Sequence, residues 1–141
     1  MFTNTRELTI EWGQCDPAGI VFYPRYFEMF DASTAALFAA ASGMTKREMV
    51  ARFDAVGFPM VDTRAKFHIP SAYGDKVRIE STVAALRRSS FEVEHRILKG
   101  DAVAVEGFET RVWVGRDPDD PTRLRARPLP EEIVARLSAP G

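Results

Sequence analysis

At 141 residues the chain is long enough to bury roughly two thirds of its unfolded surface, and residues 1–141 are expected to form one domain. Its formal net charge of −1 comes from 19 basic and 20 acidic residues interspersed along the chain, which excludes a nucleic acid or a membrane surface as its general partner. A single cysteine, Cys15, excludes an internal disulfide framework and suits a reducing cytoplasm, and no apolar run approaches the roughly 20 residues needed to span a bilayer.

Residues 5–12 alternate, with Leu8, Ile10 and Trp12 on one face and Glu7, Thr9 and Glu11 on the other, which predicts a half-buried strand. A constrained loop follows. Pro17 pushes Asp16 into an extended conformation, Gly19 permits a tight turn, and Pro24 sits where a helix begins, because its missing N–H costs nothing at the first helical position. The loop thus brings a carboxylate next to a helix amino end, whose unpaired N–H groups and partial positive charge stabilise an oxygen becoming negative. That pairing suits acyl-transfer chemistry; the structural alternative is a turn leading into a helix.

From Pro24 to about Ala41, the apolar residues Phe27, Phe30, Leu37, Phe38 and Ala41, with Thr34, recur at spacings of three and four. This predicts a central helix, and its alanine-rich run predicts cover on several sides. Gly43 reads as its stop, and Thr45 with Glu48 as a capping box that opens a short helix to about Phe53. The period then changes to two. Val61 to Ile69 reads as a strand ended by Pro70, Val77 to Leu86 and Phe91 to Leu98 as two more, and Ala102 to Gly115 as a long one that Gly107 interrupts with a bulge. Asp117 to Pro121 is a breaker, and Pro130 opens a terminal amphipathic helix. Hairpin-like steps between the later strands predict an antiparallel sheet with the long helix on one face, an α+β architecture.

Several residues besides Asp16 are candidates for chemistry. Cys15 is not read as a nucleophile, because no histidine lies near it in sequence. Asp31 shares a helical stripe with Phe27, Ala35 and Phe38, so it is either a functional acid in apolar surroundings or an acid bonded to a backbone N–H or an arginine. Arg87-Arg88-Ser89-Ser90 offers two guanidinium groups and two hydroxyls suited to phosphate, with a solvated hairpin tip as the alternative. Arg123, Arg125 and Arg127 alternate and could join the same anion site. His68 and His95 are isolated, so no metal site is expected. A Gly-rich phosphate loop and a Gly-x-Ser-x-Gly elbow are both absent.

The run Asp16-Pro17-Ala18-Gly19-Ile20-Val21-Phe22-Tyr23-Pro24-Arg25-Tyr26 resembles the signature of the hotdog-fold acyl-CoA thioesterases, in particular the hydroxybenzoyl-CoA thioesterase branch. Asp31 falls where that family carries an acid on its central helix, Gly57-Phe58-Pro59-Met60-Val61 resembles its second-strand entry, and Arg87-Arg88-Ser89-Ser90-Phe91 its Arg-Arg-x-Ser-Phe hairpin. The branch related to cell-envelope thioesterases has histidine at the position of Tyr23 and asparagine at that of Arg25; this chain has neither, which favours an aromatic acyl group. The segment Met44 to Val56 matches the hydroxybenzoyl enzymes poorly.

The resemblance implies a hotdog fold whose sheets join edge to edge in dimers, commonly paired into tetramers, with active sites at the subunit interface. It implies Asp16 as nucleophile or general base and the Tyr23 N–H as the group polarising the thioester carbonyl. It further implies that Phe22, Phe27, Asp31, Gly57 and Pro59 shape the acyl pocket and that Arg87, Arg88, Ser89 and Ser90 hold coenzyme A. No cofactor is implied beyond the coenzyme A of the substrate. Two other readings stay open: an acyl-CoA-binding module without turnover, and an enoyl-CoA hydratase, which commonly needs an Asp/His pair.

Overall fold

Phe30, Thr34, Leu37, Phe38 and Ala41 form the buried face of helix α1 (Pro24–Ser42) in the computed structural model, which describes all 141 residues. The helix stops at Gly43, whose φ of 73° is left-handed and whose N–H donates to the Ala39 carbonyl at 2.9 Å. Glu28, Asp31, Ala32 and Ala40 remain exposed, so a single chain covers α1 on one side, where cover on several sides was expected. Helix α2 (Lys46–Arg52) is capped as expected, with the Thr45 hydroxyl accepting from the Glu48 N–H at 3.1 Å.

Five antiparallel strands make the sheet beneath α1: β1 (Thr3–Thr9), β2 (Met60–Phe67), β3 (Lys76–Leu86), β4 (Ser90–Lys99) and β5 (Ala102–Val112), in spatial order β1-β3-β4-β5-β2. Only β3, β4 and β5 follow one another by hairpins. β2 pairs with β5, so residues 68–75 must carry the chain across to the opposite side, where β3 lies between β1 and β4. Beyond β5, β6 (Val114–Arg116) and β7 (Leu124–Ala126) form a small separate ribbon, and helix α3 (Glu131–Ser138) buries Ile133 and Leu137.

Two strand expectations need correction. β1 ends at Thr9, which pairs with Lys76 at the very start of β3, so no partner remains for a longer strand. Glu11 instead caps a short 3-10 turn, Trp12–Gln14, and Trp12 is 76% exposed rather than facing the core. Gly107, in turn, is not a bulge: it pairs in regular register with His95 and Ala65, while the irregularity lies near Ala104. What Gly107 provides is room. A Cβ there would lie 2.5 Å from the Phe30 ring, and that ring stacks on His95 with centroids 4.8 Å apart. β5 turns Gly107, Glu109 and Arg111 inward and leaves the apolar Phe108 and Val112 on the outer face, a pattern that imitates a bulge in the sequence.

Apolar packing occurs in two clusters. One, around Phe38, Phe58, Phe91, Trp113 and Ile133, includes the second half of α1; the other, around Tyr26, Met29, Phe30, Ile79 and Ile97, takes the first half. Between them lies a belt of buried polar residues: Ser33, Thr34, Ser81, His95, Glu109 and Arg111. Substituting Gly107→Ala is expected to destabilise the fold by about 1–3 kcal/mol, since the Phe30 ring is also held by His95. Denaturant unfolding checks this, and a second change, Phe30→Leu, should recover part of the loss if the ring is the obstacle.

Candidate active site

The Asp16 loop is pinned on two sides. Val21 N–H donates to the Ser71 carbonyl at 2.9 Å and Phe22 N–H to Gln14 at 2.8 Å, while Asp16 N–H closes on Ile20 at 2.9 Å. The tight turn passes through Gly19, whose φ is 83°. Asp16 itself is half-buried, with Oδ1 accepting the Ala18 N–H at 2.8 Å, which holds the carboxylate within its own turn. It lines a cleft of about 350 Å³ with Trp12, Cys15, Pro17, Gly19 and Tyr73, and the Trp12 and Tyr73 rings meet edge to face at 5.7 Å.

Tyr23 occupies the cap position of α1 with helical φ and ψ, Pro24 follows at the first helical position, and no side chain caps this end. The Tyr23 N–H donates to no acceptor within the chain. Its ring borders a neighbouring apolar cavity of about 210 Å³ with Ile20, Tyr26, Phe67 and His68. Phe22 is exposed and meets Tyr23 edge to face at 5.7 Å, whereas Phe27 is packed against Phe30 and lines none of the cavities described here. His68 pairs with Glu106 at 2.9 Å.

Asp31, Gly57 and Pro59 come together at a second place, a cavity of about 370 Å³ on the flank of α1. Gly57 and Pro59 are fixed through their carbonyls, which accept from Val114 at 2.9 Å and Val112 at 3.2 Å. The Asp31 side chain is 69% exposed, so it does not sit in an apolar stripe; one oxygen takes a 2.8 Å bond from Arg111 Nη2. Of the two readings of Asp31, the arginine-bonded one describes its contacts.

Behind Arg111 runs a buried network that the sequence reading missed. Arg111 Nε donates to Glu109 Oε1 at 2.7 Å and its Nη1 to the Phe58 carbonyl at 3.2 Å. Glu109 also accepts from the Thr34 hydroxyl at 2.7 Å and bonds His95 Nε2 at 2.9 Å; a carboxylate only accepts, so that ring nitrogen carries a proton. His95 Nδ1 lies 2.7 Å from the Ser81 hydroxyl. Burial alone would raise the Glu109 carboxyl, but the bonds from His95 and Arg111 outweigh it and hold it below its ordinary value. Burial likewise opposes the charge on Arg111, and Glu109 and Asp31 overcome it and raise the guanidinium. The available signal was that Glu109 and Arg111 sit two residues apart, hence on one face of the strand.

The Arg87-Arg88-Ser89-Ser90 turn is a third place. Arg88 and Ser89 carbonyls accept from Leu129 at 2.8 Å and Trp113 at 2.7 Å, and Arg87 reaches Glu92 at 3.3 Å. This turn follows the carboxyl end of β3, whereas the Ser71 segment that pins the Asp16 loop precedes its amino end. The 11 residues of β3 separate them, roughly 33 Å at the strand rise. One chain therefore does not bring the two together. Arg127 does not join an anion site either; its guanidinium donates to the carbonyls of Asp54 at 2.6 Å and Arg116 at 2.8 Å. No helix is long and apolar enough to cross a membrane.

A family model described as the thioesterase-like superfamily matches residues 10–137. The chain is 33% identical over 139 residues to 4-hydroxybenzoyl-CoA thioesterase from Pseudomonas sp. (strain CBS-3), a match covering 95% of this chain and 96% of that one. It is 29% identical over 128 residues to 1,4-dihydroxy-2-naphthoyl-CoA hydrolase from Synechococcus elongatus, covering 88% and 87% of the two. A crystal structure of a 4-hydroxybenzoyl-CoA thioesterase mutant, complexed with 4-hydroxybenzoyl-CoA and carrying asparagine for an aspartate, superposes with a TM-score of 0.87. That match has 30% identity and covers 96% of this chain and 99% of the other.

The Glu109 network predicts a particular acid limb. Because the folded carboxyl titrates below its ordinary value of 4.5, its contribution to stability is complete above that pH and drains away as the pH falls through the folded value. Glu109→Gln is expected to cost about 3–5 kcal/mol at neutral pH, by leaving Arg111 buried beside a neutral group. Urea unfolding as a function of pH checks both points: the variant should be weaker and its acid limb flatter.

Proposed function

This chain belongs to the thioesterase-like superfamily and has the hotdog fold, and we propose that it hydrolyses the thioester of an aromatic acyl-CoA to the free acid and coenzyme A. The observation that carries this reading is the Tyr23 N–H, left without an acceptor at the amino end of α1, on the same pinned segment that holds the Asp16 carboxylate. A thioester carbonyl oxygen bound there would meet that N–H and the positive end of the helix dipole, both of which favour the charge of a tetrahedral intermediate.

Asp16 then has one of two tasks. As a nucleophile, it adds to the carbonyl carbon, the C–S bond breaks, coenzyme A leaves, and water hydrolyses the resulting anhydride. As a general base, it takes a proton from water while that water adds to the same carbon, and the thiol leaves with a proton. Neither route needs a group beyond water and the substrate. Asp31, Gly57 and Pro59 would line the acyl end, with Phe22 at the entrance, while Phe27 would support the pocket from behind.

Arg87, Arg88, Ser89 and Ser90 would hold the phosphates of coenzyme A. The length of β3 between them and the segment that pins the Asp16 loop, roughly 33 Å, supports their acting on the site of another subunit, in which case the enzyme would be an oligomer, a dimer or a dimer of dimers. β2 supports that assembly: it is an unpaired edge with Val61 60% and Phe67 49% exposed, suited to pairing with a second sheet. A single cysteine suits a reducing compartment, which supports reading the enzyme as cytoplasmic.

Thiol release from benzoyl-CoA, hydroxybenzoyl-CoA, phenylacetyl-CoA and aliphatic acyl-CoAs tests the assignment. Asp16→Asn should lower kcat by about 10²–10⁴-fold, and a variant with full turnover would remove Asp16 from the mechanism. Oxygen-18 from labelled water should enter Asp16 in a single turnover if the anhydride forms, and only the product acid if it does not. For the nucleotide end, Arg87→Ala with Arg88→Ala should raise KM about tenfold or more while leaving kcat nearly as it was. An equal fall in kcat would point to a different role for that turn.

A further inference from the structure

Trp12 and Tyr73, 76% and 63% exposed, stand together on the wall of the cleft that holds Asp16. Neither is loosely held. Trp12 is carried on the 3-10 turn that Glu11 and Gln14 cap, and its carbonyl accepts the Cys15 N–H at 3.1 Å. Tyr73 is followed by Gly74, whose N–H donates to the Ile10 carbonyl at 2.8 Å, and by Asp75, whose carbonyl accepts the Ile10 N–H at 2.8 Å. The two segments are thus tied to one another, and their rings meet edge to face at 5.7 Å. Two large rings fixed in water present apolar surface that a ligand can cover without first having to order it.

What covers them follows from the rest of the cleft. Because Asp16 lines it, its occupant is joined to the thioester that Asp16 attacks, which leaves the acyl group, the pantetheine arm and the nucleotide of an acyl-CoA. The nucleotide carries phosphates, and no lysine, arginine or histidine lines this cleft. An aromatic acyl group is short and ends inside the protein, and the cavity with Asp31, Gly57 and Pro59 is a separate place for it. The Asp16 cleft, of about 350 Å³, is instead bordered by rings that stand mostly in water. That suits the pantetheine arm, an uncharged chain that has to lead out of the site: its alkyl groups pack on the ring faces while its amides stay wet at the rim. We propose that Trp12 and Tyr73 are specificity-determining residues that seat the pantetheine arm, so that this cleft reads the thiol half of the substrate. The proposal rests on the acyl-CoA reading above.

The test compares wild type, Trp12→Ala and Trp12→Phe on the 4-hydroxybenzoyl thioesters of coenzyme A, pantetheine and N-acetylcysteamine. The last keeps the sulfur and the first amide of the arm and lacks the rest. Trp12→Ala should raise KM about tenfold on the first two thioesters, with kcat nearly unchanged, and alter the third by less than about twofold. Trp12→Phe, which keeps a ring, should retain most of the wild-type values. An equal loss on all three thioesters, or no loss on any, would overturn the assignment, since a purely structural tryptophan has no reason to distinguish them. Acrylamide quenching of Trp12 fluorescence gives a reading without turnover, because Trp113 is only 2% exposed and contributes little. Coenzyme A should shield Trp12, and ADP, which has a nucleotide and no arm, should not. Equal shielding by ADP would assign the rings to the adenine and sink the proposal. If wild type hydrolyses no thioester yet coenzyme A alone shields Trp12, the hydrolase reading fails and the binding assignment stands.

Discussion

The interaction on which most of this structure depends is the grip of Arg111 on Glu109. Two charges with almost no exposure sit in the middle of a small protein, and each is tolerable only because the other is there. Thr34 and His95 complete the coordination of the carboxylate, so α1, β4 and β5 are tied together by directional bonds where the apolar core is interrupted. Packing alone would let a helix slide or rotate on a sheet. Bonds of fixed geometry do not, and they set the height at which the amino end of α1 meets the Asp16 loop.

The same arrangement explains how the flank of the helix acquires polar character without losing stability. Glu109 fixes Arg111, and Arg111 presents one nitrogen to Asp31 at the surface and another to the Phe58 carbonyl. A guanidinium already restrained by a buried acid loses little freedom when it holds a second acid. The amino end of α1 is built by a different economy: backbone bonds from Val21 and Phe22 fix the loop, and proline at the first helical position leaves a neighbouring N–H unspent.

How much of this was legible in the sequence depends on the range over which each feature is determined. The Asp16 loop and α1 are local: proline, glycine and helical spacing are physical constraints on neighbouring residues, and both elements formed where those residues placed them. The end of β1 was not local, because it is decided by where β3 begins, some 70 residues away. Gly107 read as a defect of its own strand, whereas its reason is a ring on α1. Glu109, Arg111 and His95 looked like polar residues in strands; only the sheet register brings them beneath Thr34. The grouping of site residues was legible least of all, since the Asp16 loop and the Arg87 turn, two separate stretches of the family likeness, lie near opposite ends of β3 in one chain.

The interrupted core has a further meaning for motion. An apolar interior that is continuous tends to melt as one, but here two greasy lobes are joined by a seam whose bonds are directional and individually breakable. Amide exchange should accordingly sort the chain into two populations, one following Ile79 and Ile97 and the other Phe91 and Trp113, with the seam residues reporting whichever lobe opens first. The lobe that holds the Asp16 loop can then breathe while the opposite lobe, with α3 against it, stays shut.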